Sequence, residues 1–463
     1  MQKYEHAFGK NDIRGIYGED ITEELYFYTG IGFVEWLKKQ SGKEPSEMHI
    51  TVTKDARLHS TPLENALVEG ITSTGANVIK LGLAPTPIGY YSEVKGVAGQ
   101  EVIASAIITA SHNPKEYNGL KICALGRDVI YGEEIQDLRK FVEDGEFEEG
   151  EGKVIDRDIR EEYISYIVDR VKLGDKKLKV AVDAGNGVGG IFIEEFMERL
   201  GVEDVVYSCI EPDGNFPNHH PDPSQEKNML DFEKLVVENN CDIGISFDGD
   251  ADRIICFDEN GKILFGDEFM ILIWRDLMKS YPGAEAILDV KCTQSLYEEI
   301  EKLGGKPRFV RVGSPFIKAE IRKNNLIFAG EYAGHIYFND EYFGFDDSYY
   351  SAARLLKILS NTDKKMSELS NGVKKYVGTP EQFVMLTDET KINVVEKVKK
   401  QFVSEGYDVI DVDGARILFG YGWGLVRCSN TEPKLTIKAE ADTKENVEKI
   451  MEIINKAIEN ATI

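Results

Sequence analysis

One arrangement of elements occurs three times along the chain: an apolar strand, a turn, an amphipathic helix closed by glycine, and a second strand. The first copy begins at HITVTKDARL and its helix ends at Gly75. The second begins at LKVAVDAGNGVGG and ends its helix at Gly201, and the third begins at EAILDVKCT and ends its helix at Gly304. Strands that alternate with helices indicate parallel α/β units. The pattern therefore predicts three related α/β domains with mixed, largely parallel sheets.

Three breaks divide a chain of 463 residues, which is too long for one hydrophobic core. Residues 145–158 are acidic and rich in glycine, 258–262 read as a turn, and 370–382 are another break. After the last break a helix, several strands and a closing helix predict a smaller C-terminal α+β domain. The predicted domains are residues 1–150, 151–256, 257–372 and 373–463.

The charge balance limits the partners of the chain. Lys and Arg number 55 against 81 Asp and Glu, a net charge of −26, so long-range electrostatics repel nucleic acid and anionic membranes. A phosphate ligand would need a local basic pocket. No apolar run approaches the ~18 residues of a membrane span, and the start has no apolar signal core. We expect a soluble, cytoplasmic monomer or weak homo-oligomer. Six cysteines without a CxxC pair predict buried, reduced thiols.

The segment DGDADR (248–253) places Asp248, Asp250 and Asp252 at alternate positions between two apolar runs. The flanking runs predict a loop that is entered and left by strands. Three carboxylates so close together favour a hard cation such as Mg²⁺, which prefers oxygen ligands. A calcium loop is disfavoured, because Arg253 stands at the sixth position, where that loop needs glycine. A solvated acidic turn is the alternative interpretation.

Ser111 stands in TASHNP, directly after the apolar run VIASAIITA, and so in a loop at the mouth of a strand. A lone serine there is usually a turn residue, unless a second feature needs a nucleophile. The metal loop is that feature, because a phosphorylated Ser111 could supply an oxygen to Mg²⁺ held by the aspartates. His112 and Lys121 could polarise the reacting group or move a proton, or could be surface residues.

Two further motifs suggest recognition of a phosphorylated polyol. GEYAGH (330–335) places Glu331 and His335 in a glycine-flanked turn, where the carboxylate can accept sugar hydroxyls, although this motif alone is nearly uninformative. RCSNTEP begins with Arg427, whose guanidinium offers a bidentate fork to an oxyanion. An ordinary turn that caps the next strand is an equally good interpretation of RCSNTEP. The expected phosphate cradle consists of Arg427, Ser429, Asn430 and Thr431.

A glycine pattern must be weighed against this interpretation. Gly185, Gly187 and Gly190 form GxGxxG after a strand and before a helix, as in dinucleotide-binding folds. The signal is weak, because Glu203 and Asp204, ~20 residues further on, do not clearly end a second strand as a ribose-binding acid should. NAD binding is therefore disfavoured. An ordinary nucleotide kinase is also disfavoured, since the chain has no GxxxxGK[ST] loop.

The four motifs TASHNP, DGDADR, GEYAGH and RCSNTEP follow one another in this order, one in each predicted domain. The combination resembles the four active-site loops of the α-D-phosphohexomutase superfamily. The resemblance covers nearly the whole chain and is closest to the bifunctional phosphomannomutase/phosphoglucomutase branch, through NDIRGIYG, DGNFPNHHPDP, DVKCT, YFGFDDSYYSAARLL and GWGLVRCSNT. It implies three related α/β domains and a smaller one round a central cleft, one Mg²⁺ per chain, and a phosphoserine at Ser111.

The reaction implied by this resemblance interconverts hexose 1-phosphate and hexose 6-phosphate, with mannose or glucose as the sugar. Phospho-Ser111 gives its phosphoryl group to the free hydroxyl, and a hexose 1,6-bisphosphate serves as intermediate and activator. Arg14 and Lys121 would lie near the transferring group, and His112 and His335 are candidate proton carriers. The resemblance assigns metal ligation to Ser111, Asp248, Asp250 and Asp252, and substrate binding to Asn11, Arg253, Lys291, Ser314, Glu331, Tyr332, Ala333, Gly334, His335, Arg427, Cys428, Ser429, Asn430 and Thr431.

Several positions depart from the pattern of the branch. Asn11 stands where tyrosine is usual, Ser314 where histidine is usual and Ala333 where serine is usual, and each change removes a sugar or phosphate contact. Tyr332, in place of methionine, adds a ring that could stack on the sugar. The preference among mannose, glucose and glucosamine phosphates therefore stays open.

Other functions are compatible with the same motifs. A phosphoglucosamine mutase differs only in its sugar, and poor retention of the bisphosphate would give a sugar-bisphosphate synthase or phosphatase. The departures at Asn11, Ser314 and Ala333 make a non-catalytic phosphosugar-binding protein conceivable. Retention of Ser111 and of all the aspartates in DGDADR argues against that last alternative.

Overall fold

The computed structural model describes residues 4–429 and 433–462. Its contacts divide the chain into two compact units, residues 1–265 with 333–369 and residues 266–332 with 370–463. Among the described residues, no helix combines the length and the apolar character that a membrane crossing requires. Short 3₁₀ helices occur at Pro45–Glu47, Val188–Gly190 and Met366–Glu368.

The first sheet lies in the first unit. Its elements are β1 (Ile13–Ile16), α1 (Glu23–Ser41), β2 (His49–Lys54), α2 (Ser60–Ser73), β3 (Asn77–Leu83), α3 (Thr86–Lys95), β4 (Ala104–Ile108), β5 (Tyr117–Ala124), β6 (Arg127–Val129), α4 (Glu133–Asp144) and β7 (Val154–Asp156). The strand order is β1-β5-β4-β2-β3-β7, with β6 on β5. β2 pairs in parallel with β3 and β4, whereas β5 pairs antiparallel with β4 and β1. The sheet takes its strand β7 from beyond residue 150.

Helices α1 and α2 pack closely because glycines line their crossing. A Cβ added at Gly30 would lie 2.5 Å from the carbonyl oxygen of Leu67, and one at Gly70 would lie 2.0 Å from that of Phe27. α1 begins where the Thr22 side chain accepts from the amide of Leu25. The close approach lets α1 and α2 contribute buried residues such as Leu25 and Leu67 to one core.

The second sheet also lies in the first unit. Its elements are α5 (Arg160–Arg170), β8 (Lys179–Asp183), α6 (Ile193–Leu200), β9 (Asp204–Ser208), α7 (Glu226–Glu238), β10 (Ile243–Phe247), β11 (Ile254–Phe257) and β12 (Ile263–Leu264). The order is β12-β11-β10-β8-β9, with β8 parallel to both β9 and β10. β10 and β11 pair antiparallel. The DGDADR loop therefore joins two buried strands, as the sequence predicts.

The third sheet begins the second unit. Its elements are α8 (Gly266–Ser280), β13 (Glu285–Asp289), α9 (Gln294–Lys302), β14 (Lys306–Val310), α10 (Ser314–Asn324) and β15 (Phe328–Gly330). β13 pairs in parallel with β14 and with β15. This is the third copy of the repeated pattern, and its strands and helix lie where the sequence predicts them.

The chain then returns to the first unit with β16 (Ile336–Phe338) and α11 (Ser348–Ser360). The ring of Tyr349 stacks on Phe247, with centroids 5.2 Å apart, and its hydroxyl donates to the carbonyl of Gly189 at 2.6 Å. The Ser348 hydroxyl donates to the carbonyl of Ala251 at 2.5 Å. α11 therefore supports both β10 and the DGDADR loop.

The C-terminal part of the second unit is a separate sheet with helices. Its elements are β17 (Val377–Gly378), β18 (Gln382–Met385), α12 (Asp388–Ser404), β19 (Asp408–Ile410), β20 (Ala415–Leu418), β21 (Gly422–Cys428), β22 (Lys434–Ala441) and α13 (Lys444–Thr462). The strand order is β17-β22-β21-β20-β19, with β18 on β22, and the pairs are antiparallel. α12 and α13 contribute residues such as Phe402 and Ile454 to its core.

All six cysteines are free thiols. Four of them are buried, as predicted, but Cys209 and Cys428 are partly exposed. The prediction of uniformly buried thiols is therefore wrong at these two positions; Cys209 directly follows β9, and Cys428 ends β21.

Candidate active site

Ser111 lies in the loop that joins β4 to β5. Its side chain is 2% exposed, and its backbone is in the left-handed region with φ +51°. A non-glycine residue rarely adopts this conformation, so its surroundings must hold it there. The amide of Ser111 donates to Thr109 Oγ1 at 2.8 Å, and its carbonyl accepts from Arg57 Nη2 at 2.9 Å. These contacts fix the direction of the serine hydroxyl.

Arg57 is a part of this site that our sequence reasoning missed. It is 2% exposed, and its guanidinium donates to four backbone carbonyls of the serine loop, those of Ser111, Asn113, Pro114 and Tyr117, at 2.6–3.1 Å. The available signal was the string KDAR, which puts an arginine just beyond the carboxyl end of the parallel strand β2. Arg57 therefore holds the shape of the loop rather than facing solvent.

Three aspartates occupy the loop between β10 and β11. Asp248, Asp250 and Asp252 are each at most 1% exposed, and one carboxylate oxygen from each lies within 4.8 Å of the others. The Ser111 Oγ donates to Asp248 Oδ2 at 2.8 Å. The fold thus brings together two loops that are 137 residues apart in the chain.

The aspartate group fits a divalent cation. Asp250 Oδ1 is buried and accepts no hydrogen bond from any described residue, and Asp252 Oδ1, also buried, has the nitrogens His335 Nε2 and Arg253 Nε at 3.4 and 4.0 Å. Burial, together with the charges of Asp250 and Asp252, raises the pKa of Asp248. Burial alone would raise the pKa of Asp252, but the neighbouring Lys121 and His335 outweigh this effect and lower it. A buried carboxylate oxygen without a hydrogen bond is costly, and carboxylate oxygens are the ligands that Mg²⁺ prefers.

Lys121 lies against the same carboxylates. Its Nζ is 2.7 Å from Asp250 Oδ2 and 2.5 Å from Asp252 Oδ2. Burial opposes its charge, but the two aspartates raise its pKa above the ordinary value. The Thr86 hydroxyl, which our sequence reasoning also missed, donates to Asp250 Oδ2 at 2.7 Å. Lys121 is therefore a fixed ammonium group, suited to stabilise negative charge rather than to accept a proton.

Arg14 and His112 border the serine hydroxyl. Arg14 Nη1 donates to the carbonyl of Ala110 at 3.2 Å and to Asn113 Oδ1 at 2.8 Å. His112 Nδ1 is 3.1 Å from Ser111 Oγ. Burial, then Arg253 and Arg14, lower the pKa of His112 well below its usual range, so its ring is neutral near pH 7.

Asn11 lies in the turn before β1, two residues before the strand begins. Its Oδ1 is buried and accepts no hydrogen bond from the residues that the structure describes. The position that carries tyrosine in the branch thus holds a side chain with a free acceptor.

Arg253 and His335 complete the group around the aspartates. Arg253 Nε donates to His335 Nε2 at 3.1 Å, and His335 Nε2 is 3.4 Å from Asp252 Oδ1. The carbonyl of Gly334 accepts from the amide of Ile254 at 3.0 Å. Gly334 has φ +96°, and an added Cβ there would lie 2.5 Å from the carbonyl oxygen of Ile254. Glycine is therefore needed where the GEYAGH turn meets β11. Ala333, the preceding residue, is half-buried.

Lys291, Glu331 and Tyr332 lie in the second unit. Asp289 ties two of them together, because its carboxylate accepts from the amide of Lys291 at 2.6 Å and from that of Tyr332 at 2.7 Å. Lys438 Nζ, which the sequence reasoning missed, lies 3.3 Å from the centroid of the Tyr332 ring.

Glu331 is 2% exposed, and its Oε1 accepts from the amide of Gly313 at 2.7 Å. Ser314, the next residue, begins α10 and is half-buried. Lys291 Nζ is 3.0 Å from Glu381 Oε1. Asp289 thus links Lys291 to Tyr332, and Glu331 links its own turn to the residue before α10.

The predicted phosphate cradle is described only in part. Arg427 donates through Nε to Asp413 Oδ2 at 3.0 Å, while its Nη2 is buried and takes no partner among the described residues. The carbonyl of Ser429 accepts from Lys391 Nζ at 2.9 Å. Cys428 ends β21, and Asn430 and Thr431 lie outside the described residues.

The GxGxxG glycines have a packing role. A Cβ added at Gly187 would lie 2.5 Å from the carbonyl oxygen of Gly249, and one at Gly190 would lie 1.7 Å from that of Ile210. The amide of Val188 donates to the same Gly249 carbonyl at 3.1 Å. The glycines therefore let this segment press against the aspartate loop, which accounts for the pattern without a dinucleotide.

Comparison with known proteins identifies the family. Four domain descriptions match successive parts of the chain: the alpha/beta/alpha domains I, II and III of phosphoglucomutase/phosphomannomutase at residues 5–149, 161–261 and 265–376, and its C-terminal domain at residues 384–457. The chain belongs to the phosphoglucomutase/phosphomannomutase family. Family membership confirms the predicted fold and the predicted class of enzyme, an isomerase acting as a hexose phosphate mutase.

Individual relatives cover the whole length of the chain. The phosphomannomutase/phosphoglucomutase of Pseudomonas aeruginosa is 36% identical over 97% of this chain and 95% of its own length. A phosphoglucomutase of Neisseria meningitidis serogroup A is 37% identical over 98% and 96%.

Among solved structures, a phosphoglucomutase/phosphomannomutase family protein of Burkholderia thailandensis superposes with a TM-score of 0.91 at 34% identity, covering 98% of this chain and 97% of its own. An N-acetylphosphoglucosamine mutase of Aspergillus fumigatus, solved with GlcNAc-6P and magnesium, shares only the fold, with a TM-score of 0.63 at 15% identity, over 99% of this chain and 96% of its own.

Proposed function

We propose that this protein interconverts hexose 1-phosphate and hexose 6-phosphate, with mannose and glucose as sugars, through a phosphoserine at Ser111. The observation that carries the proposal is the 2.8 Å contact between Ser111 Oγ and Asp248 Oδ2 inside a buried group of three aspartates. A serine beside a cation site can carry a phosphoryl group, because the cation offsets the charge that the phosphate brings.

Asp248, Asp250 and Asp252 would hold one Mg²⁺ per chain, with an oxygen from phosphorylated Ser111. When bound, that ion supplies positive charge to the transferring phosphoryl group. Lys121 and Arg14 add fixed positive charge beside it, at positions set by their contacts with Asp250 and Asn113. In-line phosphoryl transfer needs little more from a protein than placement and charge.

In the first step, the sugar hydroxyl oxygen forms a bond to phosphorus as the bond from Ser111 Oγ to phosphorus breaks. The hydroxyl loses its proton, and Ser111 Oγ gains one. His112 is the best placed group for the exchange at Ser111, because its neutral ring lies 3.1 Å from Oγ. His335, held by Arg253, is the second candidate. The second step reverses these changes with the other phosphate of the hexose 1,6-bisphosphate.

The residues of the second unit would bind the sugar and the phosphate that is not reacting. Glu331 and Lys291 offer an acceptor and a donor to sugar hydroxyls, and Tyr332 offers a ring face. Arg427 Nη2, which has no partner among the described residues, could bind an anion, and Ser429, Asn430 and Thr431 would complete the cradle. The reaction requires this group to accept both orientations of the bisphosphate. Ala333 and Ser314 replace the serine and the histidine that are usual in the branch. Glucosamine phosphate therefore also needs testing as a substrate.

The test has two parts. Purified protein is incubated with hexose 1,6-bisphosphate and Mg²⁺, and its intact mass should rise by one phosphoryl group in the wild type and in the exposed-serine control Ser46→Ala. Ser111→Ala should show no increase. Conversion of glucose 1-phosphate, mannose 1-phosphate and glucosamine 1-phosphate is then followed by phosphorus NMR, with chelator as the metal-free control.

Undiminished turnover in Ser111→Ala would rule out the phosphoserine. Release of bisphosphate or inorganic phosphate in every turnover would instead identify a synthase or phosphatase. Ligand binding without any product would identify a binding protein.

A further inference from the structure

A second group of metal-binding side chains lies in the first unit, apart from the aspartate loop. Asp183 ends β8, Cys209 follows β9, and His219 stands in the loop that precedes α7. One ligand atom from each lies within 4.8 Å of the others. Asp183 is fully buried, whereas Cys209 and His219 are partly exposed. The phosphoryl transfer proposed above uses none of these three residues.

We propose that Asp183, Cys209 and His219 bind one Zn²⁺ per chain. Thiolate, imidazole and carboxylate are the ligands of zinc, and a thiolate selects against Mg²⁺. His219 Nε2 lies 3.3 Å from Asp183 Oδ1 and 3.2 Å from Asp183 Oδ2. A tetrahedral ion with ligands at ~2.0–2.3 Å separates its donor atoms by roughly 3.5 Å, so this spacing needs little adjustment. Partial exposure leaves a fourth position for water.

The neighbours of these residues orient them as metal ligands are commonly oriented. His219 Nδ1 is 3.0 Å from the carbonyl of His220, so a proton on Nδ1 leaves the Nε2 lone pair facing the cluster. Asp183 Oδ2 accepts from the amide of Gly185 and from the hydroxyl of Ser246, both at 3.1 Å. Such outer partners hold the ring and the carboxylate of a metal site in place.

A metal at this position would restrain a functionally placed loop. The segment from Cys209 to Asp222 reaches the aspartate loop, where the carbonyl of Pro221 accepts from the amide of Gly249 at 3.2 Å. The Phe216 ring of the same segment lies 5.3 Å from the guanidinium carbon of Arg57. The proposed zinc would thus hold a segment that contacts the supports of both Ser111 and the aspartates.

The experiment uses the full chain, stripped with chelator and then kept in excess Mg²⁺ so that Mg²⁺ occupies the aspartate loop. Co²⁺ is added as a probe, because a thiolate bound to cobalt gives a charge-transfer band in the near ultraviolet. We expect one Co²⁺ per chain with this band, and displacement of the bound Co²⁺ by Zn²⁺. Zn²⁺ should also raise the thermal unfolding midpoint.

Cys209→Ser should abolish the band and lower Zn²⁺ affinity by more than the roughly 10–100-fold that loss of an outer partner costs. Cys428→Ser, the other partly exposed cysteine, is the matched control and should keep the band. His219→Gln is a second variant that retains the thiol, and circular dichroism of each metal-free variant checks its fold.

Several results would overturn the proposal. They are persistence of the band in Cys209→Ser, its loss in Cys428→Ser, displacement of the cobalt by Mg²⁺, or wild-type Zn²⁺ affinity in His219→Gln.

Discussion

At the scale of single residues, Lys121 governs the charge balance of the aspartate loop. Its ammonium group contacts Asp250 and Asp252, while Asp248 accepts from the serine hydroxyl. Lys121 and Arg253, whose Nε lies 3.7 Å from Asp248 Oδ2, are two cations against three buried carboxylates, and Asp250 Oδ1 accepts no hydrogen bond from the described residues. Lys121, Arg253 and the proposed divalent cation would therefore together offset the charge of this loop.

Replacement of Lys121 by methionine tests how much of the aspartate charge the lysine offsets and how much Mg²⁺ offsets. In chelator, Lys121→Met should lower the free energy of unfolding by about 3 kcal/mol, because it leaves buried carboxylates without their cation. Saturating Mg²⁺ should restore part of that loss. Urea unfolding with and without Mg²⁺ measures both effects, and the exposed Lys115→Met should change stability by no more than about 0.5 kcal/mol. A loss of equal size in the two variants would contradict the expectation.

The candidate site was predictable where a residue type carries its own chemistry. The alternating aspartates of DGDADR indicated a cation site, and the strand before Ser111 indicated a loop at the mouth of that strand. The role of Arg57 was not predictable, because its guanidinium binds backbone carbonyls. Every residue has a backbone carbonyl, so the sequence does not show which of them an arginine will contact. The contact between Ser111 and Asp248 is likewise invisible without a fold or a family resemblance, since 137 residues separate them.

At the scale of elements, α11 begins with a buried carboxylate. Asp347 caps the helix by accepting from the amide of Tyr350, and the hydroxyls of Tyr163 and Tyr342 donate to it as well. Burial nevertheless outweighs these hydrogen bonds and raises the pKa of Asp347 to about 6. The folded chain therefore binds this proton more tightly than the unfolded chain does.

The free energy of unfolding should depend on the protonation of Asp347. The contribution from protonated Asp347 is fully present below pH ~4 and is lost as the pH rises through about 6. Relative to Asp347→Asn, which stays neutral, the wild type should lose about 2 kcal/mol of unfolding free energy between pH 4 and 7. Urea unfolding across that range measures the difference, with the exposed Asp363→Asn as control. A difference independent of pH would refute the assignment.

The GxGxxG segment makes a second prediction at this scale. Gly187 has an ordinary φ of −85°, so any effect of Gly187→Ala comes from lack of space beside Gly249 rather than from backbone strain. We expect a stability loss of about 1–3 kcal/mol and weaker Mg²⁺ binding, because the added methyl group displaces the aspartate loop. Thermal unfolding with and without Mg²⁺ measures both. At Gly378 a Cβ would meet its neighbour at 3.7 Å, so Gly378→Ala should be benign.

The elements themselves follow from local patterns. The three copies of the repeated unit lie where the apolar strands and the helix-closing Gly75, Gly201 and Gly304 put them. The pattern could not show that β7, from within a predicted boundary, joins the first sheet, because its exposed strand pairs through backbone groups alone. Nor could it show that α11 packs in the first unit, since that placement depends on contacts distant in sequence.

At the scale of the whole molecule, the two compact units carry different tryptophans. Trp36 lies in the first unit, and Trp274 and Trp423 lie in the second. Each is buried and so reports on the unfolding of its own surroundings. The proposed Mg²⁺ ligands all lie in the first unit. A bound ion should therefore stabilise the first unit more than the second.

Tryptophan fluorescence can test this expectation. In a variant with Trp274→Phe and Trp423→Phe, Mg²⁺ at about 100 times its dissociation constant should raise unfolding free energy by about 2.7 kcal/mol. In Trp36→Phe the reported shift should be smaller. Equal shifts from the two reporters would mean that the chain unfolds as one cooperative body.

The return of the chain to the first unit also affects how the protein is made. α11 supplies Tyr349 and Ser348 to the supports of β10 and the aspartate loop, yet it is translated only after the strands β13, β14 and β15. A nascent polypeptide that has left the ribosome as far as residue 265 therefore still lacks α11, which completes the core of the first unit. Until α11 emerges, the aromatic pocket of Phe247 stays open, and this interval is when the growing chain most needs protection from aggregation.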